Sequence, residues 1–247
     1  MKDVFLGIVV GIANLMPGIS GGTIVFISGK YSDFVESLGS LFTFKFKRFG
    51  FLLRLVSGAI ISILLLSKLI DILNESHPAE MGSFFSGLVM GGLMSIGTTL
   101  KISSGSLIFM TLGALSMIGL GNLESIDLPR NFGLVFGGIL SGSAMVLPGI
   151  SGSTMLVLMG MYDEIISAVS KIDVPILIVF GIGVVGGIAI VSIALERLIE
   201  NWEGFVISFL FGLTLVGLIE LLMKEVKLLY LMLGIVAATS FERLMKS

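Results

Sequence analysis

The sequence predicts an all-α membrane protein with two inverted-topology repeats, each a re-entrant helical hairpin followed by three transmembrane helices. Three observations predict it. First, apolar residues make up 55% of the 247 residues and charged ones only 13%, against about 25% charged in an ordinary soluble domain. Mean hydropathy is +1.10, and a soluble fold of this length has too little interior to hide that much apolar surface. Second, the motif Pro-Gly-Ile-Ser-Gly occurs twice, each time inside an apolar region. Third, Lys and Arg segregate to one side of the membrane once those motifs are read as hairpin tips.

The elements follow in chain order. A spanning helix needs about 20 apolar residues. Six segments approach that length: residues 51–73, 83–100, 106–121, 174–198, 205–223 and 228–244. Two further apolar regions, 4–29 and 132–160, are interrupted by Pro-Gly. With Pro17 set on Pro148, Val4, Phe5, Gly7, Ile8, Gly11 and Ala13 fall on Val135, Phe136, Gly138, Ile139, Gly142 and Ala144. Thr23, Gly29 and Tyr31 fall on Thr154, Gly160 and Tyr162, so that 14 of 28 aligned positions are identical. A weaker echo sets residues 67–71 on 196–200 and 107–113 on 228–234. The chain is therefore expected to be one membrane domain over 1–247. Repeat 1 covers about 1–121, a polar linker 122–131, and repeat 2 about 132–247.

The first leg of each interrupted region is too short to cross. Residues 4–16 as a helix reach about 20 Å, against a hydrocarbon core of about 30 Å. Proline ends the leg, and Gly18, Gly21 and Gly22 permit a tight turn. With hairpins, each half has three full spans and the halves are oppositely oriented. Placing both termini in the cytoplasm then puts Lys2, Lys30, Lys45, Lys47, Arg48, Arg54, Lys101, Arg197, Arg243 and Lys246 inside. Only Lys68, Arg130, Lys171, Lys224 and Lys227 lie outside, as the positive-inside rule requires.

Non-helical backbone at membrane depth survives only where protein or a water-filled cavity satisfies it. Paired broken helices of inverted repeats meet near the midplane, where transporters bind substrate. Here the tips bring Ser20 and Thr23 together with Ser151, Ser153 and Thr154, and the glycines Gly18, Gly21, Gly22, Gly149 and Gly152 offer backbone N–H groups. No acidic residue lies in either turn. Donors without a carboxylate suit an anion such as phosphate. Arg54 is a further candidate for positive charge; its aligned position in the second half is Gly183. The same small residues also let membrane helices pack closely, and Tyr31 and Tyr162 read as interface anchors.

Several functions are excluded or weakened. The chain has no cysteine and one histidine, His77, so thiolate metal sites, Cys nucleophiles and His clusters are out. Gly18-Ile19-Ser20-Gly21 and Gly149-Ile150-Ser151-Gly152 fit a Gly-x-Ser-Gly protease pattern. That chemistry needs a base beside the serine, and one loop histidine cannot serve both copies. The expectation is a transporter, not an enzyme, without cofactor, metal or nucleic-acid partner. A conduit for a small soluble anion is the alternative, and an intramembrane serine-dependent enzyme a weaker one.

The paired segments Asn14-Leu15-Met16-Pro17-Gly18-Ile19-Ser20-Gly21-Gly22-Thr23 and Leu147-Pro148-Gly149-Ile150-Ser151-Gly152-Ser153-Thr154 resemble those of the PopT family of bacterial polyprenyl-phosphate (undecaprenyl-phosphate) translocases. The resemblance covers essentially the whole chain. It implies a plasma-membrane protein that returns the lipid carrier of cell-wall synthesis from the outer to the inner leaflet. Its partners would be the polyprenyl phosphate and membrane lipids. The phosphate would then be held by Asn14, Pro17 and Pro148 together with the turn residues above. Asn14 stands where the resemblance implies an acidic residue in many relatives.

Overall fold

The computed structural model describes residues 1–16, 18–121 and 129–246. Pro17 and most of the expected linker lie outside the described residues. All regular structure among them is helical: α1 (Lys2–Asn14), α2 (Gly21–Ile27), α3 (Tyr31–Phe42), α4 (Phe49–Ser76), α5 (Pro78–Thr99), α6 (Ser104–Gly121), α7 (Arg130–Val146), α8 (Gly152–Leu158), α9 (Tyr162–Lys171), α10 (Val174–Leu222) and α11 (Leu228–Lys246).

Four of these, α4, α5, α10 and α11, are long and apolar enough to cross a membrane. α6 is apolar and shorter; its 18 residues reach about 27 Å. α10 has 49 residues, which as one rod would exceed twice the hydrocarbon thickness. It breaks once, at Trp202 (φ −143°, ψ 39°), giving legs 174–201 and 203–222. The two separate segments expected here are thus joined with almost no loop. The physical reason is local: the polar junction contains no proline, whereas Pro78 at the start of α5 ends α4 at His77. Leu64, Leu65 and Leu69 of α4 are exposed on the isolated chain, as expected of side chains that face lipid.

Glycines set the helix crossings. A methyl on Gly7 of α1 would collide with the Leu55 carbonyl, and one on Gly58 of α4 with the Val4 carbonyl. The α7–α10 crossing has the same form, with Gly138 against the Phe180 carbonyl and Gly183 against that of Val135. This pairing corrects the alignment of Arg54 with Gly183. Gly183 is the counterpart of Gly58, and the weak match of 67–71 with 196–200 is displaced by about one helical turn. The remaining helices exchange partners between the halves. Gly87 of α5 meets Leu231 of α11 and Gly234 of α11 meets Phe84, while Gly113 of α6 meets Phe209 of α10 and Gly212 meets Met110. Small residues allow this backbone approach in membrane proteins.

The helices α3 and α9 have no counterpart among the segments read from the sequence. α3 buries Tyr31, Val35, Ser37, Gly39 and Ser40. The loop after it carries Lys47, within 3.6–3.7 Å of carboxylates of Glu36, Glu196 and Glu200, and Arg48, paired with Asp33 and Glu36. Desolvation pulls the Lys47 ammonium down, but Glu200, Glu36 and Glu196 together leave it raised above the ordinary lysine value. Glu36 is thus part of an ionic tie between α3, its loop and α10.

Gly87→Val should therefore lose about 1–3 kcal/mol or more, because backbone blocks the added side chain. Gly181→Ala, where an added Cβ meets nothing within 4 Å, should be neutral or gain up to about 1 kcal/mol through helix propensity. Thermal unfolding in detergent measures both.

Candidate functional site

Each motif copy folds by the same local rules. Leu147, before Pro148, is extended (φ −74°, ψ 131°), as a residue preceding proline prefers. Gly18 and Gly149 follow the prolines with φ +85° and +86°, a conformation that costs other residues free energy. Ser20 and Ser151 then cap α2 and α8, accepting the N–H of Thr23 at 3.3 Å and of Thr154 at 3.1 Å. The repeated serine and threonine therefore have a structural role. At both turns the chain doubles back: Gly21 sits against Val10 and Asn14, and Gly152 against Ser141 and Met145.

The two turns touch. The Gly149 N–H donates to Thr23 Oγ1 at 2.9 Å. Gly22 lies under the carbonyls of Met145 and Val146, where a Cβ would come within 3.0 and 2.8 Å. The Tyr31 hydroxyl donates to the same Val146 carbonyl at 3.1 Å. Tyr31 is only 2% exposed, so it is a core link between the turns and not an interface anchor. Tyr162 is exposed at 39%.

Above this junction opens a cavity of about 520 Å³. Asn14, Ser20, Ser151 and Ser153 supply its polar wall, with backbone of Gly21, Gly22 and Gly152. Its other wall is apolar and includes Val56, Ile60 and Ile63 of α4, which are 44%, 51% and 37% exposed. The cavity thus runs from a hydroxyl- and amide-lined end to a lipid-facing helix surface. No charged side chain is among the described residues that line it.

Its polar groups retain donor capacity. Asn14 Oδ1 accepts the Gly21 N–H at 2.7 Å, which orients the amide and leaves its NH₂ without a partner among the described residues. Ser20 and Thr23 share one hydroxyl–hydroxyl bond of 3.0 Å, so one of their two protons stays free. Ser151 bonds Ser153 at 3.0 Å and Thr154 at 2.7 Å; two bonds among three hydroxyls leave one more proton. Such an end can donate to an oxyanion.

Of the residues singled out in the sequence, Asn14, Ser20, Gly21, Gly22, Ser151, Gly152 and Ser153 line the cavity. Thr23, Gly149, Gly18, Pro148 and Thr154 form the turns behind it, and Pro17 lies outside the described residues. Arg54 is not brought in. Its Nε pairs with Asp3 Oδ2 at 2.9 Å, at the far end of α1 and about 16 Å along that helix from Asn14. A neighbouring acid captures the guanidinium before it can reach the turns. Tyr31 was missed as a site-forming residue; its place in the repeated motif was the available signal. His77 lies at the α4–α5 junction against Ser76 Oγ, 2.9 Å away, and does not line the cavity of the serines.

A family model described as VCA0040-like, undecaprenyl phosphate translocase-like, matches residues 10–234. A polyprenyl-phosphate transporter of Vibrio cholerae is 33% identical over 225 residues, covering 85% of this chain and 73% of the relative. One of Staphylococcus aureus is 28% identical over 274 residues, covering 98% and 96%. No solved structure matches the chain.

Thr23→Val should strand the Gly149 N–H at nearly constant volume. An unsatisfied buried donor costs about 1–3 kcal/mol. A lowered unfolding temperature in detergent, with helix content retained in the folded state, is the expected result.

Proposed function

Because this chain belongs to the VCA0040-like, undecaprenyl phosphate translocase-like family, we propose that it moves undecaprenyl phosphate across the bacterial plasma membrane. The direction is outer to inner leaflet, returning the carrier for cell-envelope synthesis. The observation that carries this reading is the two-sided cavity, with donors from both turns at one end and the exposed apolar face of α4 at the other. A phosphate brought to the bilayer interior without such donors would cost several kcal/mol or more. A soluble anion would gain nothing from the apolar wall, and a polyprenyl tail needs one.

The headgroup enters between the turns. The Asn14 amide, the free hydroxyl protons of the Ser20 and Ser151 groups and nearby backbone N–H groups replace its water. The tail stays in lipid along α4. The two halves are inverted repeats with both termini cytoplasmic, and rocking of one against the other opens the pocket inward. The protein acts as a transporter and forms no covalent intermediate.

Asn14→Leu is the sharpest test. Leucine keeps the side-chain volume but removes the carboxamide, so the polar wall of the cavity loses a donor. Flipping of undecaprenyl phosphate in proteoliposomes should slow at least tenfold at neutral pH. Wild-type rates for this variant and for Ser20→Ala with Ser151→Ala would remove the cavity from the mechanism.

A further inference from the structure

Met16 and Ile19, on either side of the first turn, each line two cavities. One is the cavity described above. The other, about 360 Å³, lies where α4 passes to α5 and α10 to α11, with Asn74, Gly82, Ser86, Leu221, Lys224 and Glu225 in its wall. Along α4, Asn74 lies 11 residues beyond Ile63 of the first cavity, about 16 Å. The two spaces are therefore displaced along the helix direction, and the Met16 and Ile19 side chains stand at the partition between them.

The chemistry of the second cavity is selective. Glu225 is matched by Lys227, whose Nζ lies 2.6 Å from it. Lys224 has no ion pair among the described residues. The Ser83 and Ser86 hydroxyls already donate to the carbonyls of Ala79 and Gly82. The groups left to meet a ligand are the Lys224 ammonium and the Asn74 carboxamide, one cation and one neutral donor. That set suits a phosphate group.

We propose that this cavity is a second binding station for a phosphate headgroup, separated from the first by a gate formed by Met16 and Ile19. It rests on the reading of the first cavity as a headgroup site. The headgroup is held by the lysine at the helix ends, where water screens the pairing, and passes to neutral donors deeper in the bundle when the two apolar side chains swing aside. Nothing covalent is involved.

Gly82 offers the test, because a Cβ added there meets nothing within 4 Å. Gly82→Leu fills the cavity without a backbone clash, and Gly82→Ala leaves most of it open. In proteoliposomes containing undecaprenyl phosphate, Gly82→Leu and Lys224→Gln should each slow flipping at least tenfold. Gly82→Ala and Lys224→Arg, which keep most of the space and the charge, should each slow flipping less than Gly82→Leu and Lys224→Gln, with all four unfolding near the wild-type temperature. The chain has no cysteine, so Gly82→Cys adds a single thiol. Undecaprenyl phosphate should protect that thiol from a membrane-impermeant reagent, and Lys224→Gln should abolish the protection. A parallel arm measures protection by inorganic phosphate: protection by the lipid alone assigns a lipid headgroup, and protection by both assigns the phosphate group itself. Wild-type flipping by both Gly82→Leu and Lys224→Gln, together with an unprotected thiol, would overturn the second station. If Asn14→Leu still slows flipping in those vesicles, the first cavity stands alone; if wild-type protein moves no undecaprenyl phosphate, the functional reading fails instead.

Discussion

The hydrogen bond from the Gly149 N–H to Thr23 Oγ1 is the constraint on which the centre of the molecule depends. Two helices end inside an apolar bundle, and each end exposes backbone groups that no lipid can satisfy. Each serine cap meets one N–H locally, and Asn14 meets that of Gly21. The Gly149 N–H is met by the other half of the chain, and the Val146 carbonyl beside it by Tyr31. Residues 126 and 115 positions apart are thereby fixed against each other, and the cavity above them inherits its shape. A turn that depends on another turn for its hydrogen bonds cannot move alone. Any motion that opens the cavity must carry both turns together or exchange this bond for a ligand's.

The two motif copies differ at one telling position. Gly22 in the first turn aligns with Ser153 in the second. Gly22 is buried beneath the carbonyls of residues 145 and 146, so a side chain there would push the turns apart. Ser153 is exposed to the cavity and bonded to Ser151. The glycine in one turn lets the turns meet, and the serine in the other presents a hydroxyl to the cavity. Thr23 and Thr154 diverge likewise: the first reaches across to Gly149, the second stays with its own cap.

Much of this was legible in the residues. Proline, glycine and serine carry specific local instructions, so the turns, their caps and their mutual approach follow from the motif. Long apolar runs fix where α4, α5 and α11 lie. What the sequence hid is what apolar runs do not encode. The register of α10 against α4 slips by a turn because Leu, Ile and Val match one another at almost any offset, and only the crossing glycines, Gly58 and Gly183, settle it. α3 escaped notice because its sequence mixes serines and acids with a narrow apolar stripe, which reads as a polar exit. Arg54 failed for a different reason. The acid that pairs with it, Asp3, is 51 positions away in sequence, and no local rule places the two side by side.

The placement of charge is a final constraint on how the cavity can work. Arg54, Lys47, Arg48 and Lys224 all lie toward the ends of helices or in the loops between them, and the donors at the turns are neutral. A lysine 4 Å from a phosphate at an effective dielectric of about 20 would add roughly 4 kcal/mol of attraction, enough to slow release about a thousandfold. A carrier must let go as readily as it binds. Neutral hydroxyl, amide and backbone donors lower the cost of desolvating the phosphate without trapping it, and they leave no unpaired protein charge when the cavity is empty. A site in which only the ligand carries charge is, on these grounds, built for passage and not for retention.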